Sequence, residues 1–393
     1  MRILNLNQES CRRLISGQQT GAGAALLRLL LGIAAVGYSL VVRLRNFLYS
    51  NGWLKAHPVD AAVICVGNIT VGGTGKTPLV IWLCKQISTN SECAILTRGY
   101  KARRASCVMR RAKEEQNTQY AIRNTQIDEP AMLAESCPQA KVVVNPDRVA
   151  GAAEAIGQFG AKVLIMDDGF QHRRLARDLD IIAIDATQPF GYGKMLPAGL
   201  LREPVTSLKR AGAVVITRCD QISEAQLSGL EEELRTINPD MVIAKSIHAA
   251  VSARTTDDEE IDVGLLKNKK IFAFCGIGNP GAFLNTIETL GSELVGSKVY
   301  DDHHHYTDTC LADIREQAQK GGADLALTTQ KDWTKIIYDL RSLGSARDKL
   351  AICDSKSTVP FAYLAIEIRF LAGQDKLTAL IQDTLAGRIS TED

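Results

Sequence analysis

The stretch AAVICVGNITVGGTGKTP, residues 61–78, decides the fold. It begins with a short apolar run that predicts a buried strand. It ends at Pro78, which suits the first turn of a helix because its missing N–H costs nothing there. Between them lies a glycine-rich turn, whose backbone N–H groups can approach phosphate oxygens because no Cβ obstructs them. Strand, turn and helix in this order predict a loop that binds the phosphates of a nucleotide.

The predicted phosphate loop departs from the G-x-x-x-x-G-K-[ST] pattern at Thr70, which stands where the first glycine is expected. Lys76 would place a positive charge on the phosphates, and the Thr77 hydroxyl can bind Mg²⁺. A glycine-rich turn without a ligand is the alternative interpretation. We predict that the nucleotide is bound by Thr70, Val71, Gly72, Gly73, Thr74, Gly75, Lys76 and Thr77.

A nucleotide site of this kind also needs an acidic residue at the end of a neighbouring strand, where the carboxylate holds Mg²⁺ directly or through water. The run VLIMDDG, residues 163–169, provides Asp167 and Asp168 at the required place. The alternative is a pair of aspartates in an ordinary turn after a strand. We predict Asp167 as a magnesium ligand and keep Asp168 as a further candidate.

Short apolar runs separated by helical stretches continue through the chain. They are nearly all apolar and rich in β-branched residues, which is typical of central strands in a parallel sheet. An amphipathic helix is predicted at 223–237, with Ser223 as its N-cap. We therefore predict an α/β fold, a P-loop NTPase-like doubly wound and mostly parallel sheet. The runs predicted as strands are 61–68, 93–99, 141–145, 162–168, 180–186 and 213–219.

A second α/β series follows the polar stretch SARTTDDEEID at 252–262, which we interpret as a domain boundary. A chain of 393 residues is longer than one core usually serves, so two domains are expected. We predict an N-terminal apolar and basic segment at 1–55, a P-loop domain at 56–254 and a smaller α/β/α domain at 255–393. The strands predicted in the smaller domain are 270–278, 297–302, 324–329, 349–354 and 362–370.

Charge and cysteine content exclude several classes of protein. The net charge of only +2 argues against a general nucleic-acid-binding protein. The ten cysteines never approach Cys-x-x-Cys spacing, and the closest pair, Cys84 and Cys93, lies nine residues apart. Zinc ribbons and thioredoxin-type redox sites are therefore not supported, and a reducing cytoplasm fits best.

The N-terminal segment has a charge of its own. Its first 55 residues hold seven Lys and Arg against one acidic residue, Glu9. Within it, the fourteen residues 29–42 are uncharged and lie between Arg28 and Arg43. As a helix they would reach about 21 Å, short of the roughly 30 Å hydrocarbon core of a bilayer. We predict a helix that lies in an anionic membrane surface. The alternatives are a buried helix of the next domain and a true membrane span.

Two adjacent carboxylates, Asp128 and Glu129, precede Pro130 in the motif IDEP. They could simply begin a helix, whose dipole favours negative charge in the first turn. They could equally face the γ-phosphate and bind Mg²⁺ or accept a proton. The residues alone leave both interpretations open.

The run DDHHHY, residues 301–306, holds three of the six histidines of the chain. Adjacent histidines suggest a transition-metal site, but they cannot all point at one ion. A second interpretation pairs Asp302 with a histidine, His303 or His304, whose imidazole helps to polarise a catalytic carboxylate. A surface loop is the third.

Basic residues cluster in HRRLAR at 172–177, and Arg202 follows in LLREP. They could bind an anionic substrate or the nucleotide. A solvated helix face is an equally good interpretation of Arg173 and Arg177. The turn CGIGNPG at 275–281 matches a dinucleotide-binding pattern, but we prefer a tight strand-to-helix turn because the phosphate loop already supplies a nucleotide site.

Together these motifs resemble the tetraacyldisaccharide 4′-kinases, the lipid A 4′-kinases. The resemblance covers residues 60–335 and includes GNITVGGTGKTP, DEPAMLA, DDGFQHRRL, LPAGLLREP, CGIGNPGAF, DHHHY and TTQKDW in order. A short apolar and basic N-terminal segment is also typical of that family. The sequence departs from the family pattern at Ile127, where glycine is usual, and in one extra histidine within DHHHY.

The resemblance implies transfer of the γ-phosphoryl group of ATP to the 4′-hydroxyl of an acylated glucosamine disaccharide 1-phosphate, giving lipid IVA. It implies Asp128 as general base and His303, after Asp302, as its partner from the other domain, so that domain closure would assemble the site. Thr77, Glu129 and Asp167 would serve Mg²⁺. It further implies an enzyme at the cytoplasmic face of the bacterial inner membrane, in contact with the membrane surface. Weaker site candidates are Asp168, Gln171, Arg202, Asp302 and His304.

A P-loop GTPase of the metal-chaperone type is the second hypothesis. It rests on the histidine cluster and on TRCD at 217–220, a near match to a guanine-binding T-K-x-D motif. Arg218 in the lysine position and the absence of Cys-x-x-Cys spacing weigh against it. A non-catalytic membrane adaptor is the third hypothesis, and the presence of Lys76, Thr77 and Asp167 disfavours it.

Overall fold

The structure of the protein is a computed structural model, and it describes residues 8–87, 92–99, 107–109, 128–255, 259–302, 304–342 and 359–389. The predicted catalytic residue His303 and the predicted strand 349–354 lie outside the described residues. Ten α-helices are described: α1 (Gln8–Ile15), α2 (Ala22–Ser50), α3 (Lys76–Ile87), α4 (Asp128–Ser136), α5 (Arg148–Phe159), α6 (Glu224–Ile237), α7 (Pro280–Thr289), α8 (Asp308–Lys320), α9 (Gln330–Ser342) and α10 (Gln374–Ile389).

Thirteen strands are described, and most coincide with the predicted apolar runs. They are β1 (Ala62–Gly67), β2 (Cys93–Thr97), β3 (Cys107–Met109), β4 (Lys141–Val144), β5 (Val163–Asp167), β6 (Leu179–Asp185), β7 (Ala213–Thr217), β8 (Val242–Thr255), β9 (Glu260–Asp262), β10 (Lys270–Cys275), β11 (Glu293–Val299), β12 (Leu325–Thr329) and β13 (Phe361–Ala372).

The described chain divides into two compact units. The first contains the described residues up to 109, then 137–247, and those from 368 onward. Its strands follow the order β8-β7-β6-β1-β5-β2-β4-β3, all parallel except β3, which runs antiparallel to β4. Every residue of β1, β5, β6 and β7 is buried, because helices cover both faces of a parallel sheet. The predicted doubly wound α/β fold is confirmed.

The second unit contains 128–136 and the described residues of 248–367. Its parallel strands follow the order β11-β10-β12-β13. The core on one side of these strands includes Phe274, Tyr306 and Trp333, and the core on the other includes Ile271, Ile287 and Leu327. This is the smaller α/β/α unit that the sequence predicts.

The division between the units differs from the predicted one in three places. The polar stretch at 252–262 contributes to a hairpin, in which Ser252 of β8 is opposite Asp262 of β9, and the units divide inside β8, after Ile247. Helix α4, which begins at Asp128, belongs to the second unit, together with the DDHHHY motif. Helix α10 returns to the first unit, where Leu380 approaches Gly212. Asp128 and the motif that contains His303 are therefore not divided between the units.

Helix α2 is twice as long as the uncharged run on which its prediction rests. Its 29 residues include Arg28, Arg43 and Arg45, since arginine is a good helix former and does not end a helix. Only Ala35 and Val42 of the helix are buried. By length and composition α2 is apolar enough to cross a membrane. Its exposed apolar side chains include Leu26, Leu29, Leu30, Ile33, Val36, Leu40, Val41, Leu44 and Phe47.

Candidate active site

The predicted phosphate loop follows β1 at the carboxyl edge of the first sheet. Val66 of β1 is opposite Asp167, the last residue of β5, and Asp185 of β6 is opposite Thr217 of β7. Because parallel strands end at the same edge, the loop and these polar side chains lie at one side of the sheet. This edge is where ligands bind in open α/β sheets.

The backbone of the loop forms a turn that few residues other than glycine adopt. Gly72 and Gly75 have φ angles of 122° and 82°. Helix α3 begins directly afterwards at Lys76, so the N–H groups of its first turn have no carbonyl partner within the helix. A helix N-terminus with this approach is a binding site for an anion such as a phosphate.

The residues of the predicted loop do not all have free donors. The Val71 N–H donates to the carbonyl of Leu200 at 2.8 Å, and the Thr74 N–H donates to the carbonyl of Gly72 at 3.1 Å. The Thr70 carbonyl accepts a hydrogen bond from Arg202 Nε at 3.2 Å. We therefore expect phosphate contacts from the part of the loop that leads into α3, rather than from Val71.

Three charged side chains form a cluster beside the loop. The two carboxylate oxygens of Asp168 accept hydrogen bonds from the Arg202 guanidinium at 2.8 and 3.0 Å. The Lys76 ammonium lies 3.4 Å from the same carboxylate. Arg202 also donates to the side-chain oxygen of Asn68, which is fully buried. This fork-shaped contact fixes Asp168, and Asp168 in turn positions the Lys76 charge.

The charge of Asp168 is held by its neighbours. Partial burial would raise the pKa of the Asp168 carboxyl, but the positive charges of Lys76 and Arg202 outweigh it and hold that pKa well below its usual range. The pKa of Arg202 is raised in return: burial opposes its charge, and the hydrogen bonds and charge of Asp168 outweigh that effect. Asp168 thus stays an anion throughout the physiological pH range.

Asp167 has a different environment from its neighbour. It is buried at the end of β5, and the Thr97 hydroxyl lies 3.5 Å from its carboxylate. Arg148, also buried, donates to the Asp167 carbonyl at 3.1 Å. Of the two adjacent aspartates, Asp168 thus belongs to the Lys76 cluster, whereas Asp167 lies at the sheet edge that carries the phosphate loop.

The donor set at this edge fits Mg²⁺. The ion prefers oxygen ligands and is usually held by one or two carboxylates together with substrate phosphates. Asp167 and the Thr77 hydroxyl are ligands of that kind. Within the described residues no group of three or more His, Cys, Asp or Glu side chains is arranged to hold a metal by itself.

Gln171 and the basic run after it are folded against the first unit. Gln171 donates to the Asn68 carbonyl at 2.8 Å, beside the phosphate loop. Arg177 donates to the carbonyls of Gly169 and Phe170, and Arg173 donates to the Asn46 carbonyl of α2 at 2.9 Å. Arg173 lies in a turn and Arg177 in an irregular segment, so the interpretation as a solvated helix face is wrong.

In the second unit, Lys331 connects the predicted catalytic elements. Its ammonium lies 2.9 Å from the Glu129 carboxylate, in the first turn of α4, and 3.5 Å from the Asp302 carboxylate. Asp128 is the residue with which α4 begins. One lysine thus ties the helix that starts at Asp128 to the DDHHHY turn. A metal role for Glu129 would have to compete with this ion pair.

His304, the alternative functional histidine, packs among aromatic rings. It stacks on Tyr300 with ring centroids 4.1 Å apart and meets the edge of Tyr306 at 5.0 Å. Its Nε2 lies 3.6 Å from the Cys310 thiol. Burial lowers the pKa of His304, so the imidazole is neutral at neutral pH. These contacts give His304 a packing role within the second unit.

Asp332 and Lys335, both in α9, form a buried ion pair. Asp332 is fully buried and accepts hydrogen bonds from the Gly276 N–H at 3.0 Å and the Thr329 hydroxyl at 2.7 Å. Lys335 lies 3.3 Å from it. A Cβ at Gly276 would lie 3.0 Å from the Asp301 carbonyl, so glycine is needed where the two turns meet. The CGIGNPG run forms a strand-to-helix turn, capped by the Asn279 side chain on the Ala282 N–H.

Comparison with known proteins gives the family. The family model described as tetraacyldisaccharide-1-P 4′-kinase, LpxK, matches residues 27–386. The chain belongs to this family. Curated relatives named tetraacyldisaccharide 4′-kinase include one from Syntrophus aciditrophicus, 34% identical over 92% of this chain and 94% of its own. Another, from Geobacter sulfurreducens, is 36% identical over 84% of this chain and 91% of its own.

A solved structure of the LpxK family shares the fold. The crystal structure of LpxK from Aquifex aeolicus in complex with ATP aligns with a TM-score of 0.65 and 27% sequence identity. The alignment covers 91% of this chain and 99% of that one. The predicted family resemblance is therefore confirmed from both sequence and structure.

In this LpxK family member, TRCD supports the phosphate loop. The Thr217 hydroxyl donates to the Thr74 carbonyl at 3.0 Å, and Arg218 donates to the Gly73 carbonyl at 2.8 Å while it pairs with the buried Asp185. Both side chains thus fix the backbone of the phosphate loop at Gly73 and Thr74. This contact accounts for the motif without a guanine base, and family membership makes the GTPase hypothesis unnecessary.

Several residues that shape the LpxK site escape prediction from sequence. Asn68, Arg148, Asp185 and Lys331 act through contacts with residues that are far apart from them in the chain, and residue type and spacing do not reveal such contacts. Asn68 has one signal in the sequence, because a polar residue directly after the apolar run of β1 stands next to the glycine-rich turn.

Proposed function

We infer that the phosphate loop serves the activity by which the family is named. The protein is an ATP-dependent kinase that phosphorylates the 4′-hydroxyl of tetraacyldisaccharide 1-phosphate in lipid A biosynthesis. The observation that carries this conclusion is the phosphate loop with Lys76 held by Asp168 and Arg202. Phosphoryl transfer depends chiefly on positioning and on neutralising charge, and this cluster supplies both.

Lys76 and the N-terminus of α3 would bind the phosphates of ATP. As γ-phosphoryl transfer proceeds, negative charge spreads over the phosphate oxygens. A lysine already fixed by Asp168 meets that charge without having to reorganise, which is the condition for effective electrostatic stabilisation. Gln171, which contacts the carbonyl of Asn68, lies next to the same loop and is a further candidate for phosphate contact.

Mg²⁺ would be held by Thr77 and Asp167 together with the nucleotide. When bound, the ion neutralises charge on the β- and γ-phosphates. Glu129 remains a proposed further ligand. Its ion pair with Lys331 supports instead a role in orienting the start of α4, and a magnesium titration of a Glu129 variant separates the two roles.

Asp128 is the proposed general base on the sugar hydroxyl, and His303 its proposed partner. An ordinary hydroxyl is a poor nucleophile, so a carboxylate within hydrogen-bond reach of it aids its deprotonation. The position of Asp128 at the start of α4 supports the proposal, because α4 belongs to the same unit as the DDHHHY motif. The link through Lys331 from α4 to Asp302 supports the pairing of the two motifs.

Membrane contact through α2 would bring the enzyme to its acylated substrate. The support for this proposal is the set of exposed apolar side chains along α2, and Trp53 beyond the helix is exposed as well. A contiguous apolar surface of this kind marks a membrane or protein interaction site. Flanking arginines would meet anionic headgroups, and we place the protein at the cytoplasmic face of the bacterial inner membrane.

A magnesium titration of two adjacent variants tests the proposed roles. If Asp128 is the base, Asp128→Asn lowers kcat by about 100-fold or more at every magnesium concentration. If Glu129 is a metal ligand, Glu129→Gln raises the magnesium concentration needed for half-maximal rate and regains activity when magnesium is added. Near-normal kcat for Asp128→Asn would remove the base assignment, and an unchanged magnesium requirement for Glu129→Gln would remove the metal assignment.

A further inference from the structure

Helix α2 is connected to the phosphate loop by a buried carboxylate, Glu203. The side chain of Glu203 is fully buried in the LLREP motif. It pairs with Arg45 of α2 and accepts a hydrogen bond from Asn46 of α2 at 2.7 Å. A carboxylate with no solvent exposure is held only where cationic and hydrogen-bonding partners compensate for lost hydration. Here two of those partners come from the apolar helix.

The residue before Glu203 is Arg202, the arginine that fixes Asp168 beside Lys76. The backbone of the pair is hydrogen-bonded to the phosphate loop, since the Arg202 N–H donates to the Ile69 carbonyl at 2.7 Å. The hydroxyl of Tyr38, also in α2, donates to the Arg202 carbonyl at 3.1 Å. The helix therefore contacts both the backbone of Arg202 and the side chain of its neighbour.

A second connection runs from Glu203 to the loop that carries Asp168. The Arg210 guanidinium lies 3.5 Å from Glu203 and stacks over the ring of Phe170 at 3.7 Å. It also donates to the Phe170 carbonyl at 3.0 Å. Phe170 is two residues from Asp168. Glu203 is thus the point at which α2, the LLREP motif and the DDGFQ loop converge.

We propose that Arg45 and Glu203 are positioning residues for phosphoryl transfer: through them α2 sets the placement of Arg202, and so of Asp168 and Lys76. The helix is then part of the catalytic unit as well as a membrane anchor. A shift of about 1 Å in catalytic groups can cost about 100-fold in rate, so loss of this brace lowers kcat. An anchor alone would change only the apparent affinity for the lipid.

Two arginines of α2 provide a matched test. Arg45 reaches Glu203, whereas Arg43, two residues away on the same helix, has a hydrogen bond to Ser39 of α2 itself at 3.2 Å. Arg45→Met and Arg43→Met remove the same charge from the same element. The measurement is kinase activity on tetraacyldisaccharide 1-phosphate in mixed micelles, with kcat and the KM values for lipid and for ATP determined separately. Co-sedimentation with phosphatidylglycerol vesicles reports membrane binding in parallel.

The expected result is a fall in kcat of about tenfold or more for Arg45→Met, with partial recovery in Arg45→Lys. Arg43→Met keeps the kcat of the unaltered enzyme, whatever happens to its vesicle binding. Tyr38→Phe, which removes one hydroxyl without disturbing charge, lowers kcat by a smaller factor. Thermal unfolding of each variant checks that the fold is intact, and Tyr38→Phe decides the matter if Arg45→Met is unstable.

Equal kcat for the two methionine variants and for Tyr38→Phe would overturn the proposal. So would a change confined to the KM for lipid. The inference rests on the kinase activity proposed above but not on membrane binding. An unaltered enzyme without transfer activity would count against the proposed function, whereas an active enzyme with insensitive kcat would count against this inference alone.

Discussion

Asp168 joins the electrostatics of the site to the stability of the protein. Its carboxylate is the shared partner of Lys76 and Arg202, and those two charges hold its pKa well below the usual range. A lowered folded-state pKa contributes stability that is present above the unfolded pKa of about 3.9 and is lost as pH falls further toward the folded value. The charge that orders the phosphate loop therefore also makes the fold sensitive to acid.

We expect Asp168→Asn to lower the melting temperature most at pH 6–7, where the native carboxylate is ionised. The difference from the unaltered protein should shrink as pH falls below about 4, because the Asp168 carboxyl of the unfolded chain then binds a proton that the folded carboxylate, with its lowered pKa, does not. Thermal unfolding followed across this pH range measures the effect. Asp240→Asn, at an exposed position, is the control. A difference that stays constant with pH would show that the charge of Asp168 is not the cause.

The two aspartates also show the limit of prediction from single residues. Residue types and spacing predict Lys76, Thr77 and the acidic pair at the end of β5 as site residues, because phosphate binding requires those groups in that order. They do not decide which aspartate the lysine contacts. That choice depends on Arg202, thirty-four residues farther along the chain, whose guanidinium reaches Asp168.

Among the elements, α2 has the largest set of exposed apolar side chains within the described residues. Its exposed leucines include Leu29 and Leu40, with 61% and 63% of their surface accessible. Burial of a leucine side chain contributes about 1.5–3 kcal/mol. These leucines gain that free energy only where a bilayer or another apolar surface covers the helix.

Replacement of Leu29 and Leu40 by serine should lower partitioning into phosphatidylglycerol vesicles by about tenfold or more. Leu265 and Leu371 give a matched control, since both are similarly exposed, at 65% and 56%, outside α2. Their replacement by serine should leave partitioning unchanged. Vesicle co-sedimentation measures both pairs. Equal effects of the two pairs, or none for the α2 pair, would contradict membrane contact through this helix.

The sequence does not predict the full length of α2 or the hairpin formed by residues 252–262, and in both cases charged residues mislead the interpretation. Arg28 and Arg43 would bound the helix only if a charged residue ended it, yet arginine is a good helix former. The polar stretch suggests a linker, but Ser252 and Ala253 of β8 are buried, and Ala253 is opposite Ile261 of β9. A hairpin that is mostly charged and exposed has the same composition as a linker, so composition does not distinguish the two.

At the scale of the molecule, the fold class follows from sequence whereas the assignment of segments to units does not. Buried parallel strands leave a strong apolar signal in every βαβ unit, so most strands were placed correctly. Helices α4 and α10 each belong to a unit that is interrupted in the chain. The assignment of these helices has no local signal in the sequence, because it is decided by packing between segments that are distant in the chain.

The central claim is that this chain is a lipid kinase whose phosphate loop depends on Lys76. Its most direct test is transfer of ³²P from γ-labelled ATP to tetraacyldisaccharide 1-phosphate in mixed micelles, by the unaltered enzyme and by Lys76→Ala. We predict a labelled lipid product that falls by about 100-fold or more in the variant, since a preorganised charge on the transferring group is lost. No labelled lipid from the unaltered enzyme, or an equal yield from Lys76→Ala, would contradict the account.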